Sequence, residues 1–153
     1  MKIKDLTSQS TKTGAGALIY AQETEQFLFI LRSSLVNSPL TWGLPGGRTD
    51  PGENTEETMK RELAEECGFS LDNKKYPYTL VMINREYAPR FEFYTYAVVI
   101  DKPFNPDLNW ESENFKWCTL DEIPNPLHPG VALLLANDSA GEKLHKFIQQ
   151  HQS

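Results

Sequence analysis

Glu62, Glu65 and Glu66 are spaced i, i+3 and i+4, so on an α-helix they fall within roughly 100° of one another. Met59, Leu63 and Cys67, each four residues apart, mark an adjacent stripe that would pack inward. Such a helix sets a cluster of carboxylates beside its apolar face. Most glutamate runs are simply solvated, but three like charges at these spacings repel, and Lys60 and Arg61 do not sit between them. Hard carboxylate oxygens gathered in this way suit Mg²⁺ or Mn²⁺, and a bound cation turns the repulsion into affinity. The helix alone leaves both readings open, a metal site and a solvated acidic face.

The segments around the helix must position these carboxylates. Asn54 is a good N-cap, with Glu57 in the capping-box position. Gly68 supplies the stop, and apolar Phe69 follows to close it. Before the helix, residues 37–54 carry Pro39, Gly43, Pro45, Gly46, Gly47, Pro51 and Gly52, which predicts a loop. Glycine there permits positive φ or close backbone approach.

The run Gly47-x5-Glu53-x7-Arg61-Glu62-Leu63-x-Glu65-Glu66-x-Gly68-Phe69 matches the Nudix box at every defined position. Seven fixed residue types and two apolar ones would coincide by chance in fewer than about one chain in a million. The chain thus resembles the Nudix hydrolases, and the likeness extends to Trp42-Gly43-Leu44-Pro45-Gly46-Gly47 before the box. It also reaches Leu31-Arg32, Phe115-Lys116-Trp117, Leu120-Asp121-Glu122-Ile123-Pro124 and Leu127-His128-Pro129-Gly130. The resemblance implies an α+β fold, an α/β/α sandwich around a mixed sheet. It implies Glu62, Glu65 and Glu66 as metal ligands and catalytic residues, with Glu53 and Gly47 also at the metal site. Glu53 is expected in a mixed role, completing the metal shell and pairing with Arg61 to fix the loop against the helix, and ranks below the other three; the expected task of Arg61 is to orient carboxylates. The implied reaction is Mg²⁺-dependent cleavage of a diphosphate linkage in a nucleoside diphosphate joined to another moiety, with Mn²⁺ as the alternative ion.

Outside the box, Arg32 and Arg48 flank the loop and are expected phosphate clamps, since guanidinium matches phosphate geometry. Gly46 and Gly47 are expected to approach the substrate through their backbone. Glu111 is expected to serve as a further ligand or general base, with Glu113 as its rival two residues on. Tyr87 resembles in position a tyrosine of some dinucleoside polyphosphate hydrolases of the family, which implies a place near the nucleotide. Phe91, Phe93 and Thr95 share one strand face, and Tyr94 and Tyr96 share the other. His128, His145 and His151 do not cluster and are expected on the surface; Cys67 is expected in the core rather than as a nucleophile.

Further elements follow from pattern. Residues 14–33 predict a strand, a polar turn and a second strand; residues 79–83 and 91–100 predict an antiparallel pair joined through 85–90. Residues 115–118 predict a short strand, 120–123 a helical turn, and 131–136 and 142–150 C-terminal helices. Residues 1–12 predict a loose lead-in to a single domain of 153 residues.

With 15 Lys+Arg against 21 Asp+Glu, the chain has a formal charge of -6 and lacks the clustered cations of an extended nucleic-acid binder. No apolar run approaches the roughly 20 residues of a membrane span. No signal peptide is visible at Met1-Lys2-Ile3-Lys4-Asp5, so a cytoplasmic protein acting on a small nucleotide is expected, and a homodimer is compatible with this. Two rivals are a Nudix-like domain that binds a nucleotide without cutting it and an isomerase of the same superfamily. Binding domains usually lose box glutamates, which are all present here, and the isomerase's Cys-Glu pair has no clear match.

Overall fold

The hairpin at the start sets up everything that follows. β1 (Lys12–Ala21) and β2 (Gln26–Arg32) pair antiparallel at their turn, Tyr20 opposite Phe27 and Ala21 opposite Gln26. They then part. A computed structural model describes residues 11–71, 75–87 and 90–152; of the predicted lead-in, residues 1–10 lie outside these, and β1 already begins at Lys12. One whole edge of β1 is taken by β6 (Arg90–Ile100), which runs parallel to it. On the other edge, the gap left by β2 is filled by β4 (Gly46–Arg48) against Gly14 to Gly16. β3 (Trp42–Gly43) fills the matching gap on β2, opposite Ile30 and Leu31.

The expected loop over 37–54 therefore contains two short strands. Runs of two and three residues have no periodicity to read, and glycine placed them only in three dimensions. A Cβ on Gly46 would stand 2.7 Å from the Ala15 carbonyl oxygen, and one on Gly16 would stand 2.7 Å from that of Pro45. Only bare backbone brings the fork this close.

β5 (Tyr78–Tyr87) pairs antiparallel with β6 and runs further than its apolar pattern suggested, with Arg85 opposite Glu92 and Tyr87 opposite Arg90. The expected connection at residues 85–87 is strand, held by an Arg85 Nε to Glu92 Oε2 contact of 2.6 Å; residues 88 and 89 lie outside the described residues. β7 (Ser112–Cys118) covers the free edge of β2. The mixed sheet runs β3-β2-β1-β6-β5, with β4 on β1 and β7 on β2.

Side chains alternate across it. Ala15, Ala17, Ile19, Tyr96 and Val98 face α1 (Thr55–Cys67), where Met59, Leu63 and Cys67 pack as expected. Leu18, Tyr20, Ala97 and Val99 face α2 (Pro129–Ala136) and α3 (Asp138–Gln150), which contribute Val131, Leu134 and Phe147. The sheet is thus sandwiched between helices, the layering expected from the sequence. Asn137 closes α2 and caps α3, so α3 begins four residues before the predicted start.

Both ends of α1 follow the sequence. The Asn54 side chain accepts the Glu57 amide at 2.8 Å, and the Glu57 side chain accepts the Asn54 amide at 3.0 Å. Gly68 has φ 65°, its N–H reaches Ala64, and that of Phe69 reaches Leu63. A Cβ on Gly68 would also meet Asp107 Cβ at 2.9 Å. Gly68→Val is therefore expected to destabilise by about 2 kcal/mol, strain at positive φ adding to that contact. A melting temperature equal to wild type would refute this account of the helix end.

Candidate active site: a carboxylate pair behind a glycine wall

α1 lies across β4, so its second half meets the glycines. Glu62 and Glu66, one turn apart, are buried at 8% and 6% exposure, while the Glu65 side chain is 54% exposed. The Gly46 amide donates to Glu66 Oε2 at 3.1 Å. A Cβ on Gly47 would stand 2.6 Å from Glu62 Oε1. Burial, then the neighbouring Glu62 carboxyl, lift the proton affinity of Glu66 well above the usual carboxylate range, and the Gly46 amide opposes this only in part. The charge of Glu111 also bears on Glu66. Cys67, one residue on, is core: burial pushes its thiol up to about 12.

Arg61 holds this ensemble together, and here the sequence reading needs correction. Arg61 does sit among the acids. Its guanidinium contacts Glu53 at 2.9 Å, Glu62 at 2.8 Å, Glu65 at 3.2 Å and Asp50 at 3.3 Å, and it donates to the Arg48 carbonyl at 2.9 Å. A wheel places side chains by angle alone, whereas arginine is long enough to bend along the helix. Glu53 is spent in this network. It takes two guanidinium bonds and the Thr58 hydroxyl at 2.7 Å, and Arg61 first of all holds its carboxyl down at about 2. In this arrangement Glu53 ties the loop to α1 through Arg61.

A cavity of about 370 Å³ opens on the other side of β4. Phe91, Phe93 and Thr95 line it, on the shared face that strand alternation gave them, and Tyr94 and Tyr96 turn toward α1. Met82, Asn84 and Glu86 of β5 line it as well; their period of two was legible, but β5's pairing was needed to aim them. Gly46 belongs to both places. It lines the cavity and bonds Glu66.

The remaining predicted residues divide. Arg32 lines the cavity, yet its Nε donates to the Asn37 carbonyl at 2.9 Å and its Nη2 to Asn37 Oδ1, so part of the fork is occupied. The Arg48 side chain is exposed and does not line the cavity; its carbonyl, holding Arg61, is its contribution. Tyr87 is exposed and also stands apart from the cavity lining. His128 is the reverse case: expected on the surface, it is half-buried and lines the cavity. Glu113 turns to the Ser34 amide at 3.3 Å, whereas Glu111 is the loop acid whose charge reaches Glu66.

Among the described residues no three His, Cys, Asp or Glu side chains already form a cage for an ion; Arg61 draws Glu65 and one oxygen of Glu62 aside. The donor chemistry nonetheless fits a hard divalent cation. Burial and the neighbouring Glu62 raise the proton affinity of Glu66, and a positive charge between the two carboxylates relieves this.

The architecture is thus a mixed sheet between helices, with the carboxylate-bearing α1 laid over the glycines of β4. The NUDIX domain family matches residues 10–137, and the chain belongs to the Nudix family. A Mycobacterium tuberculosis protein whose name assigns it provisionally as an 8-oxo-dGTP diphosphatase is 36% identical over 95 residues, 60% of this chain and 44% of its own. The chain thus spans less than half of that relative's length. The asymmetrical bis(5'-nucleosyl)-tetraphosphatase of Rattus norvegicus is 31% identical over 103 residues, 65% of this chain and 67% of its own. In fold, the chain is similar to the NUDIX domain of Shewanella oneidensis NrtR complexed with ADP ribose. The TM-score is 0.70 at 19% identity, covering 94% of this chain and 99% of that one. Among the described residues no helix is long and apolar enough to cross a membrane.

Proposed function

We propose that this chain is a Mg²⁺-dependent hydrolase that cleaves a phosphoanhydride bond in a nucleoside diphosphate linked to another moiety. The observation that carries this reading is Gly46, which lines the cavity on one side and donates to Glu66 on the other. A base held in the cavity sends its diphosphate over the Gly46-Gly47 backbone toward the carboxylates. Glu62 and Glu66, with Glu65 beside them, would hold the ion. When bound, it supplies charge neutralisation at phosphate oxygens and acidifies water.

The chain's own residues do the rest. Arg61 orients Glu62 and Glu65, and the glycine backbone lets phosphate approach without a side chain in the way. Glu111 accepts a proton as water attacks phosphorus in line, breaking the bridging P–O bond and releasing two phosphorylated products.

A panel of dinucleoside polyphosphates, ADP-ribose, nucleotide sugars and nucleoside triphosphates, run with Mg²⁺ in ¹⁸O-water, tests this. Turnover with label in one phosphate product is expected; binding without turnover would point to a non-catalytic domain. On the best substrate, Glu111→Gln should lower kcat about 100-fold with KM and melting temperature little changed, while Glu113→Gln stays near wild type. The reverse outcome would move the base by two residues.

A further inference from the structure

We propose that Arg32 and His128 form a pair of hydrogen-bond donors that makes the cavity selective for 6-oxopurine nucleotides over 6-aminopurine ones. The inference rests on the nucleotide hydrolysis proposed above and names the base read by that site.

His128 caps α2. Its Nδ1 accepts the Gly130 amide at 3.0 Å, and a Cβ on Gly130 would stand 3.2 Å from that same nitrogen. An Nδ1 that accepts carries no proton, so the neutral ring holds its hydrogen on Nε2 and can only donate there. Its backbone is fixed too, since the His128 amide donates to the Trp42 carbonyl at 2.9 Å. Burial, then the charge of Arg32, disfavour protonation of the ring. Among the described residues no hydrogen bond takes up its Nε2.

Arg32 stands beside it because Gly43 separates them without a side chain. A Cβ on Gly43 would lie 3.6 Å from Arg32 Cδ and 3.7 Å from His128 Cβ. Asn37 engages Arg32 through Nε and Nη2, which fixes the guanidinium plane, and among the described residues no hydrogen bond takes up Nη1. Arg32 and His128 thus stand side by side at Gly43 and line one cavity with Phe91 and Phe93. Guanine and hypoxanthine present two adjacent acceptors, O6 and N7; adenine replaces O6 with a donating amino group. A donor pair accepts the former and leaves a donor facing a donor in the latter.

Calorimetric binding of GMP, IMP and AMP in Mg²⁺ tests this. Wild-type protein should bind GMP and IMP about tenfold or more tighter than AMP. His128→Asn keeps an N-cap for Gly130 but is too short to reach the base. Its preference should fall to within about threefold at an unchanged melting temperature. From the ligand's side, 7-deaza-GMP should bind wild-type protein about tenfold more weakly than GMP, whatever the folding of the variant. AMP binding as tightly as GMP, full preference in His128→Asn, or no loss with 7-deaza-GMP would each overturn the donor pair. Binding of all three nucleotides without preference would leave the proposed hydrolysis standing and remove only this inference. Absence of both binding and turnover would remove both.

Discussion

Glu66→Gln protein is expected to fold normally and to lose roughly three orders of magnitude or more of kcat. The amide oxygen can still accept the Gly46 N–H, now 3.1 Å from Glu66 Oε2, so the β4 to α1 contact survives. Only the charge goes. Removing a buried carboxylate from beside Glu62 also relieves repulsion, so in EDTA the variant should melt at or above wild type. Mg²⁺ or Mn²⁺ should then raise the melting temperature of wild type and not of the variant, because an ion that binds only the folded state stabilises it. The thermal shift reads the metal site without reference to turnover. Near wild-type activity together with an unchanged metal-induced shift would show that Glu66 does not hold the ion.

Arg61→Ala should cost about 1–3 kcal/mol, a fall of several degrees in melting temperature, and at least about 100-fold in kcat. The cost is discounted from that of a fully buried pair because the arginine side chain is 26% exposed. Asp50, Glu53, Glu62 and Glu65 would then face one another without their shared cation. Arg61→Lys keeps the charge but not the fork, and should fall between the two. The pH dependence has a defined sign. The Glu53 carboxyl is depressed to about 2 by Arg61, so its contribution is full above the ordinary glutamate value near 4.3 and is lost as pH falls toward 2. The gap in melting temperature between wild type and Arg61→Ala should therefore be widest near neutrality and narrow on acidification below about pH 4.5. A gap that widened in acid would show that Glu53 is not the partner through which Arg61 stabilises the fold.

Local features were legible in the sequence alone. Each cap of α1 joins partners close in sequence, Asn54 with Glu57 and Gly68 with Ala64, and the apolar stripe of Met59, Leu63 and Cys67 follows from the helical period. The order of residues from Gly47 to Phe69 sufficed to place the chain in its family, because that spacing is rigid along one loop and one helix. Strand alternation likewise separated Phe91 and Phe93 from Tyr94 and Tyr96. What lies across from each face followed from long-range packing. A helical wheel makes Glu62, Glu65 and Glu66 neighbours, yet only the position of β4 buries Glu62 and Glu66 and leaves Glu65 outside. β3 and β4 are too short to carry a period and exist because β1 and β2 fork. His128 enters the cavity because its backbone is tied to Trp42, about 86 residues earlier in the chain, a contact that pairs residues no local pattern connects. Periodicity fixes the direction in which a side chain leaves its own element; long-range packing fixes what it meets.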